Sequence, residues 1–225
     1  MSRSTSVSSI PSTDELRLWG APVELRDGSR VRLRPGRGSE DRELLLRGFE
    51  RLSLESRYRR FLMPTRELSP DMVRYLTDLD HHDHEAIIAT DEAHREGLGV
   101  ARYVRDPARP DTAEVAVTVI DDWQGRGLGT LLLETLSARA RQEGIRSFTA
   151  LMLATNEPMM DVLRHLEADV RVTHRETGTV EIEMPIPDVG LAPALRKLMK
   201  LSAHTDVVVS PAAQASARRS VTNSP

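Results

Sequence analysis

The run Asp121-Asp122-Trp123-Gln124-Gly125-Arg126-Gly127-Leu128-Gly129-Thr130-Leu131 constrains this chain more than any other segment. It joins an apolar, strand-like run (113–120) to an apolar helical run that begins at Leu128. Three glycines at alternate positions let a backbone turn tightly, with its N–H groups outward and no side chains in the way. At the mouth of a helix, those N–H groups and the positive end of the helix dipole form an anion site suited to a pyrophosphate. A strand, a glycine-rich turn and a helix in that order mark a place for a nucleotide-like ligand.

The spacing excludes two familiar phosphate loops. A Walker loop requires Gly-Lys-Ser/Thr after four spacer residues, and no lysine follows here. A dinucleotide fingerprint places its turn after the first strand of a βαβ unit. Here about four strands precede the turn, and Gln124-Gly125-Arg126-Gly127-Leu128-Gly129 has a different glycine spacing.

The surrounding pattern predicts an α+β (mixed α/β) domain over 21–187, between a polar, mobile N-terminal segment (1–20) and a C-terminal stretch (188–225). That last stretch reads as a short basic helix, 191–201, and a disordered tail. Within the domain a short strand, 31–35, stops at Pro35. Helices capped by Ser39, Ser53 and Ser69 follow, the last with Pro70 at its first position. Strands are expected at 85–90, 97–104 and 113–120. Leu128, Leu132 and Leu136 then recur at helical spacing up to about Glu143, with Gly144 as the stop. A strand at 148–153, a helix at 158–166 and a closing hairpin (170–173 and 180–184, turning at Thr177-Gly178) complete the order.

With 225 residues, 39% of them hydrophobic and 4% aromatic, the chain has enough for an aliphatic core. A net charge of −3 argues against a general nucleic-acid binder. No apolar stretch approaches the roughly 20 residues that span a bilayer, and the serine-rich start lacks a signal-peptide segment. The chain has no cysteine, hence no disulfide, thiolate metal site or cysteine nucleophile. The plain expectation is a cytoplasmic protein, monomer or homodimer, with no nucleic-acid or membrane partner.

The Gln124-Gly125-Arg126-Gly127-Leu128-Gly129 run resembles the Gln/Arg-x-x-Gly-x-Gly/Ala motif of the GNAT superfamily of acyl-CoA-dependent N-acyltransferases. The order of elements is similar from about Val31 to Met184. Three segments resemble the catalytic domain of bacterial protein lysine acetyltransferases of the Pat type: Glu55-Ser56-Arg57-Tyr58-Arg59-Arg60-Phe61, Gly99-Val100-Ala101-Arg102-Tyr103-Val104-Arg105-Asp106-Pro107 and Ala113-Glu114-Val115-Ala116-Val117. The resemblance implies a GNAT fold, a twisted and mostly antiparallel sheet of about six to seven strands flanked by helices. It implies acetyl-CoA as donor, its pyrophosphate held by the backbone of Gln124, Gly125, Arg126, Gly127, Leu128, Gly129 and Thr130. The pantetheine arm is expected along Val117, Val119 and Ile120, and also at Asn156, whose plain reading is a helix cap.

Glu114 opens an otherwise apolar strand, on the face of Ala116 and Thr118 by alternation. Read alone, it is either a solvated carboxylate at a strand end or a functional group. The chemistry has a use for it, because an amine attacks a thioester only when neutral and a free lysine has a pKa near 10.4. The resemblance makes Glu114 the general base. Departures from the pattern lie further on: Leu163 stands where a tyrosine usually protonates the departing thiolate, and Glu167-Ala168 replaces a common Gly-Phe. The cluster Asp80-His81-His82-Asp83-His84-Glu85 has no ligand spacing of a known metal site and reads as a loop entering a strand. Arg57-Tyr58-Arg59-Arg60 reads as a solvated helix face able to help hold an acidic substrate, and the resemblance implies that this region lies near the acceptor side.

The resemblance thus implies acetyl transfer to an amine, most simply a lysine of a protein such as an acyl-CoA synthetase, by direct attack and without a metal. A GNAT enzyme for a small amine, or a weakly active acyl-CoA-binding module, are the alternatives.

Overall fold

In the computed structural model, which describes residues 22–93, 95–154, 170–176 and 178–187, the chain starts with strands β1 (Pro22–Glu24) and β2 (Arg30–Pro35). A 3-10 turn at Gly38–Asp41 leads into helix α1 (Arg42–Glu50), then α2 (Leu54–Phe61) and α3 (Pro70–Thr77). The expected caps hold: Ser53 and Ser69 accept the N–H groups of Ser56 and Met72 at 3.1 and 3.2 Å. The first helix starts later than Ser39 because buried Asp41 is taken up elsewhere. It accepts both Arg34 guanidinium nitrogens at 2.5 and 2.8 Å and the Arg37 N–H at 2.6 Å, pinning the turn to β2.

Strands β3 (His84–Thr90), β4 (Gly97–Asp106) and β5 (Arg109–Val119) follow, then helix α4 (Leu128–Gln142), and β6 (Ser147–Leu153), β7 (Arg171–Glu176) and β8 (Thr179–Pro185). The sheet has eight strands in the order β1-β2-β3-β4-β5-β6-β8-β7. That exceeds the six to seven expected, because the short β1 pairs antiparallel with β2 at the edge. All neighbours are antiparallel except β5 and β6. The expected segments at 1–20, 158–166 and 188–225, with Asn156 and Leu163, lie outside the described residues.

Alternation sorts the central strands into two faces. Glu85, Ile87, Ala89, Ala101, Tyr103, Ala113 and Val115 turn towards α4, whose Leu128, Leu132, Leu133, Leu136 and Ala140 are buried. Gly99 allows this approach, since a Cβ there would lie 2.9 Å from the Thr118 carbonyl oxygen and 3.0 Å from Leu132 Cδ1. The other face, His84, Ala86, Ile88, Val100, Arg102, Val104, Glu114, Ala116 and Thr118, lies under α1, α2 and α3.

A buried ion pair locks α4 to β3. Arg139 Nε donates to Glu85 Oε2 at 3.2 Å, and the two side chains are only 5% and 2% exposed. The other Glu85 oxygen faces His81 Nδ1 and the Ala86 N–H, both at 2.9 Å. Asp80 Oδ1 accepts the N–H groups of His82, Asp83 and His84, each at 2.8 Å. The acid- and histidine-rich run is therefore spent on a turn and an anchor.

Candidate active site

The strand carrying Glu114 belongs to two ladders that end at different places. β5 stays paired with β4 as far as Val119 against Gly99. Its parallel pairing with β6 covers only Thr112, Ala113 and Glu114, opposite Ser147, Phe148 and Thr149. Beyond Thr149, β6 continues against β8 as far as Leu153. The two central strands therefore part after Glu114 and leave a wedge. From Val115 onwards, the β6 side of β5 presents backbone N–H and C=O groups with no strand beside them among the described residues, an edge that an extended ligand can pair with. Glu114, half-buried, stands at the vertex.

The glycine turn closes the far end of the wedge. Gly125 and Gly127 sit at φ +77° and +89°, in the left-handed region. Gly127 is the residue before α4, and no side chain among the described residues caps that helix. α2 and α3, by contrast, begin with a serine cap and an acidic residue in the first turn. α4 has no acid in its first turn, so its leading N–H groups are left for an anion or water. Gln124 ties the turn to β5, with Nε2 donating to the Val119 carbonyl at 3.1 Å.

The remaining expected contact residues take distinct positions. Val117 and Val119 lie half-buried on the wedge strand, and the Ile120 N–H donates to the Leu98 carbonyl at 3.0 Å. Leu128 is 1% exposed in the core, so only its backbone can meet a ligand. Gly129 and Thr130 lie in the first turn of α4. The Arg126 guanidinium stacks over Trp123, 4.8 Å from the ring centroid, and bonds Ser29 Oγ at 3.1 Å and the Asp122 carbonyl at 2.9 Å.

Several site residues were not singled out as such from the sequence. On Glu114's face, Arg60 from α2 and Tyr75 from α3 interact with it, Arg102 from β4 lies beside both and opposite Ala116, and Arg60 and Arg102 are 6% and 4% exposed. Arg57-Tyr58-Arg59-Arg60 is thus not a solvated face as a whole: Arg60 is buried, and Arg57 stacks 4.4 Å over the Phe49 ring. Helical turn geometry, which the charge run conceals, sends Arg60 inward with Phe61. The usable signal was a charge in an apolar strand, as at Glu114: Arg102 lies between Ala101 and Tyr103, and cross-strand from Ala86 and Ala116.

Burial sets the electrostatics. Desolvation lowers the Arg60 pKa to about 10 against the pull of Glu114, and lowers Arg102 to about 9 with help from the charge of Arg60. Desolvation likewise raises the Tyr75 phenol, which stays protonated. His84, whose ring centroid is 5.4 Å from that of Tyr75, is held down to about 4 by burial and by Arg102, hence neutral.

Beside this cluster, between the helices α1–α3 and the sheet, lies a cavity of about 110 Å³. Its wall is mostly aliphatic and aromatic, with Leu44, Phe49, Phe61, Leu76 and Ile88 among its residues. The arrangement places a carboxylate, an open strand edge, an uncapped helix start and an apolar cavity around one wedge.

The fold is that of the GNAT type. The model of the Acetyltransferase (GNAT) family matches residues 50–167, and the chain belongs to that family. Within the family the likeness is to the Pat type. The chain is 36% identical over 173 residues to the acetyltransferase Pat of Mycolicibacterium smegmatis, a match covering 76% of this chain and 50% of that protein. It is also 36% identical over 142 residues to the acetyltransferase PA5475 of Pseudomonas aeruginosa, covering 61% of this chain and 74% of that protein. The crystal structure of the GNAT domain of S. lividans PAT superposes with a TM-score of 0.64 at 37% identity, covering 73% of this chain and 96% of that one. The chain thus spans half the length of the mycobacterial relative it matches. No described helix is long and apolar enough to cross a membrane.

Proposed function

We propose that the chain moves an acetyl group from acetyl-CoA to the side-chain amine of a protein lysine, with Glu114 as general base. The observation that carries this reading is the position of Glu114 at the vertex where β5 and β6 part. An extended donor lying in the wedge brings its reactive end to that carboxylate. The amides at the start of α4, with Gln124, Gly125, Arg126, Gly127, Leu128, Gly129 and Thr130 supplying the turn, hold the donor's pyrophosphate. The edge at Val117, Val119 and Ile120 takes the pantetheine arm, and Asn156 is assigned to the same arm.

Glu114 accepts a proton from the lysine ammonium, directly or through one water. The two buried guanidinium groups beside it disfavour a third cation, which also favours the neutral amine. The amine nitrogen then attacks the thioester carbonyl carbon, and a backbone N–H of β5 stabilises the developing oxyanion. The C–S bond breaks as the amide forms, CoA leaves as thiolate, and the remaining proton on the nitrogen passes to that thiolate or to water. No metal is required. The Pat-type relatives support a protein acceptor, acyl-CoA synthetases being the first substrates to test, in the cytoplasm.

The test incubates the protein with acetyl-CoA and lysate proteins of its own cell and maps acetylated lysines by mass spectrometry. Glu114→Gln should lower the rate by on the order of 10²–10⁴ while acetyl-CoA still binds. An unchanged rate in that variant refutes the general base. Acetylation of polyamines or amino acids, with proteins untouched, replaces the protein acceptor with a small amine.

A further inference from the structure

The cavity beside Glu114 is apolar, yet it is lined on the sheet and α2 side by Arg60, Arg102 and Thr118. Each of these three has a buried polar atom with no hydrogen-bond partner among the described residues: Arg60 Nη1, Arg102 Nη1 and Thr118 Oγ1. The wall's other polar side chains are engaged, Asp41 with Arg34 and Arg37, and Thr77 with the Val73 carbonyl at 2.9 Å. Arg102 has one bond from Nη2, to the Leu76 carbonyl at 2.5 Å. The cavity's lining carboxylate, Asp41, is paired with Arg34, and next to the two lining guanidinium charges stand Glu114, a neutral Tyr75 and a neutral His84. One positive charge is left over.

A buried guanidinium without a compensating anion is costly, and so is a buried donor without an acceptor. Such a pair persists where a ligand completes it. The ligand that fits has a short aliphatic stem, for the Leu and Phe walls, and an anionic head that takes hydrogen bonds from two arginines. A carboxylate does so, with the Thr118 hydroxyl as a further donor. The volume, about 110 Å³, is several times the roughly 10–15 Å³ that one water occupies, and so admits a few carbon atoms. Thr118 lies four positions beyond Glu114 on the same face, so the head sits past the reacting carbon, within reach of an acyl group that starts at the vertex. A lysine stem fits the apolar walls equally well, but its ammonium is repelled at the arginine end.

We propose that Arg60, Arg102 and Thr118 form a carboxylate-reading subsite at the end of the acyl cavity, so that the enzyme takes dicarboxylic acyl groups from their CoA thioesters. This rests on the acyl-transfer reading of the same site. The same carboxylate could arrive instead on the acceptor, and the experiment separates the two.

The donor arm compares kcat/KM for succinyl-CoA and its uncharged counterpart valeryl-CoA with one lysine-bearing protein acceptor. The acceptor arm uses acetyl-CoA with lysine and with its decarboxylated diamine. The wild type should favour the carboxylate at least tenfold in the donor arm. Arg60→Met should bring that ratio near one, and Thr118→Val, of similar shape, should lower it a few-fold. A preference confined to the acceptor arm, and lost in Arg60→Met, overturns the donor assignment. Acyl transfer with no carboxylate preference in either arm overturns the subsite while leaving the acyltransferase reading intact. A binding experiment separates the converse case: butyrate should raise the melting temperature of the wild type more than the uncharged butyramide does. If it does so, and Arg60→Met abolishes the difference, while no acyl transfer occurs, the subsite stands and the transfer reading falls.

Discussion

Replacing Gly127 by alanine separates the backbone role of the glycine turn from its ligand role. Gly127 sits at φ +89° immediately before α4, and a Cβ built there meets nothing within 4 Å. The substitution therefore causes no clash within the protein. Its structural cost is the left-handed conformation alone, about 1–2 kcal/mol for an L-residue. For a domain of 150–250 residues each kcal/mol moves the melting temperature by roughly 2–4 °C, so a drop of about 2–8 °C is expected. The space in front of Gly127 is also the pyrophosphate site proposed above, against the first amides of α4. A methyl group there displaces hydrogen bonds to a charged group, worth about 1.5–3 kcal/mol. Acetyl-CoA affinity should fall by roughly 10- to 100-fold, with KM for the donor rising and kcat changing less. Calorimetric titration with acetyl-CoA and a thermal melt on the same preparation measure both effects. Gly99→Ala is the contrast. Its Cβ meets backbone oxygen at 2.9 Å and Leu132 at 3.0 Å, so it should cost stability by overpacking, about 1–3 kcal/mol. If Gly127→Ala melts as expected but binds acetyl-CoA within twofold of wild type, the pyrophosphate does not lie on this turn.

Two further perturbations follow from buried charges. Arg139→Met strips the partner from Glu85, which is 2% exposed, and should lower unfolding free energy by about 3–5 kcal/mol, read as a urea midpoint shift at constant slope; a loss below about 1 kcal/mol would show the pair to be incidental. His84 is held at about 4 in the fold, chiefly by burial and then by Arg102, against an ordinary 6.5. The unfolded chain then binds its proton first as pH falls, so stability present above pH 6.5 is lost between there and pH 4, by about 3 kcal/mol from this group. His84→Asn should flatten that slope in urea titrations run from pH 7 to pH 4, and an unaltered slope would remove His84 as its source.

The elements that were legible share a local cause. Ser53 and Ser69 cap where their side chains compete for first-turn N–H groups, and Gly127 and Gly144 turn where only glycine adopts positive φ at little cost. The leucines of α4 were legible by period. β1 was missed because three residues carry no period, and its strand character comes from pairing with β2. The start of β5 was placed late because Arg109, Pro110 and Asp111 are exposed and polar, while the turn from β4 pairs Asp106 with Arg109. In the sequence Arg60 reads as part of a solvated face, since a run of charges hides which of its members the helix turns inward.

The sequence by itself determined the glycine turn that is proposed to hold the donor: glycines between a strand and a helix adopt positive φ from local backbone geometry. It also determined that Glu114 faces the same way as Ala116 and Thr118, because alternation in a strand is local. Only the tertiary structure decided that Glu114 stands where β5 parts from β6. Only it brought Arg60, Tyr75 and Arg102, from two helices and another strand, around that carboxylate. Strand separation and charge neutralisation depend on partners distant along the chain, and those partners are chosen by packing on the sheet rather than by any period in the sequence.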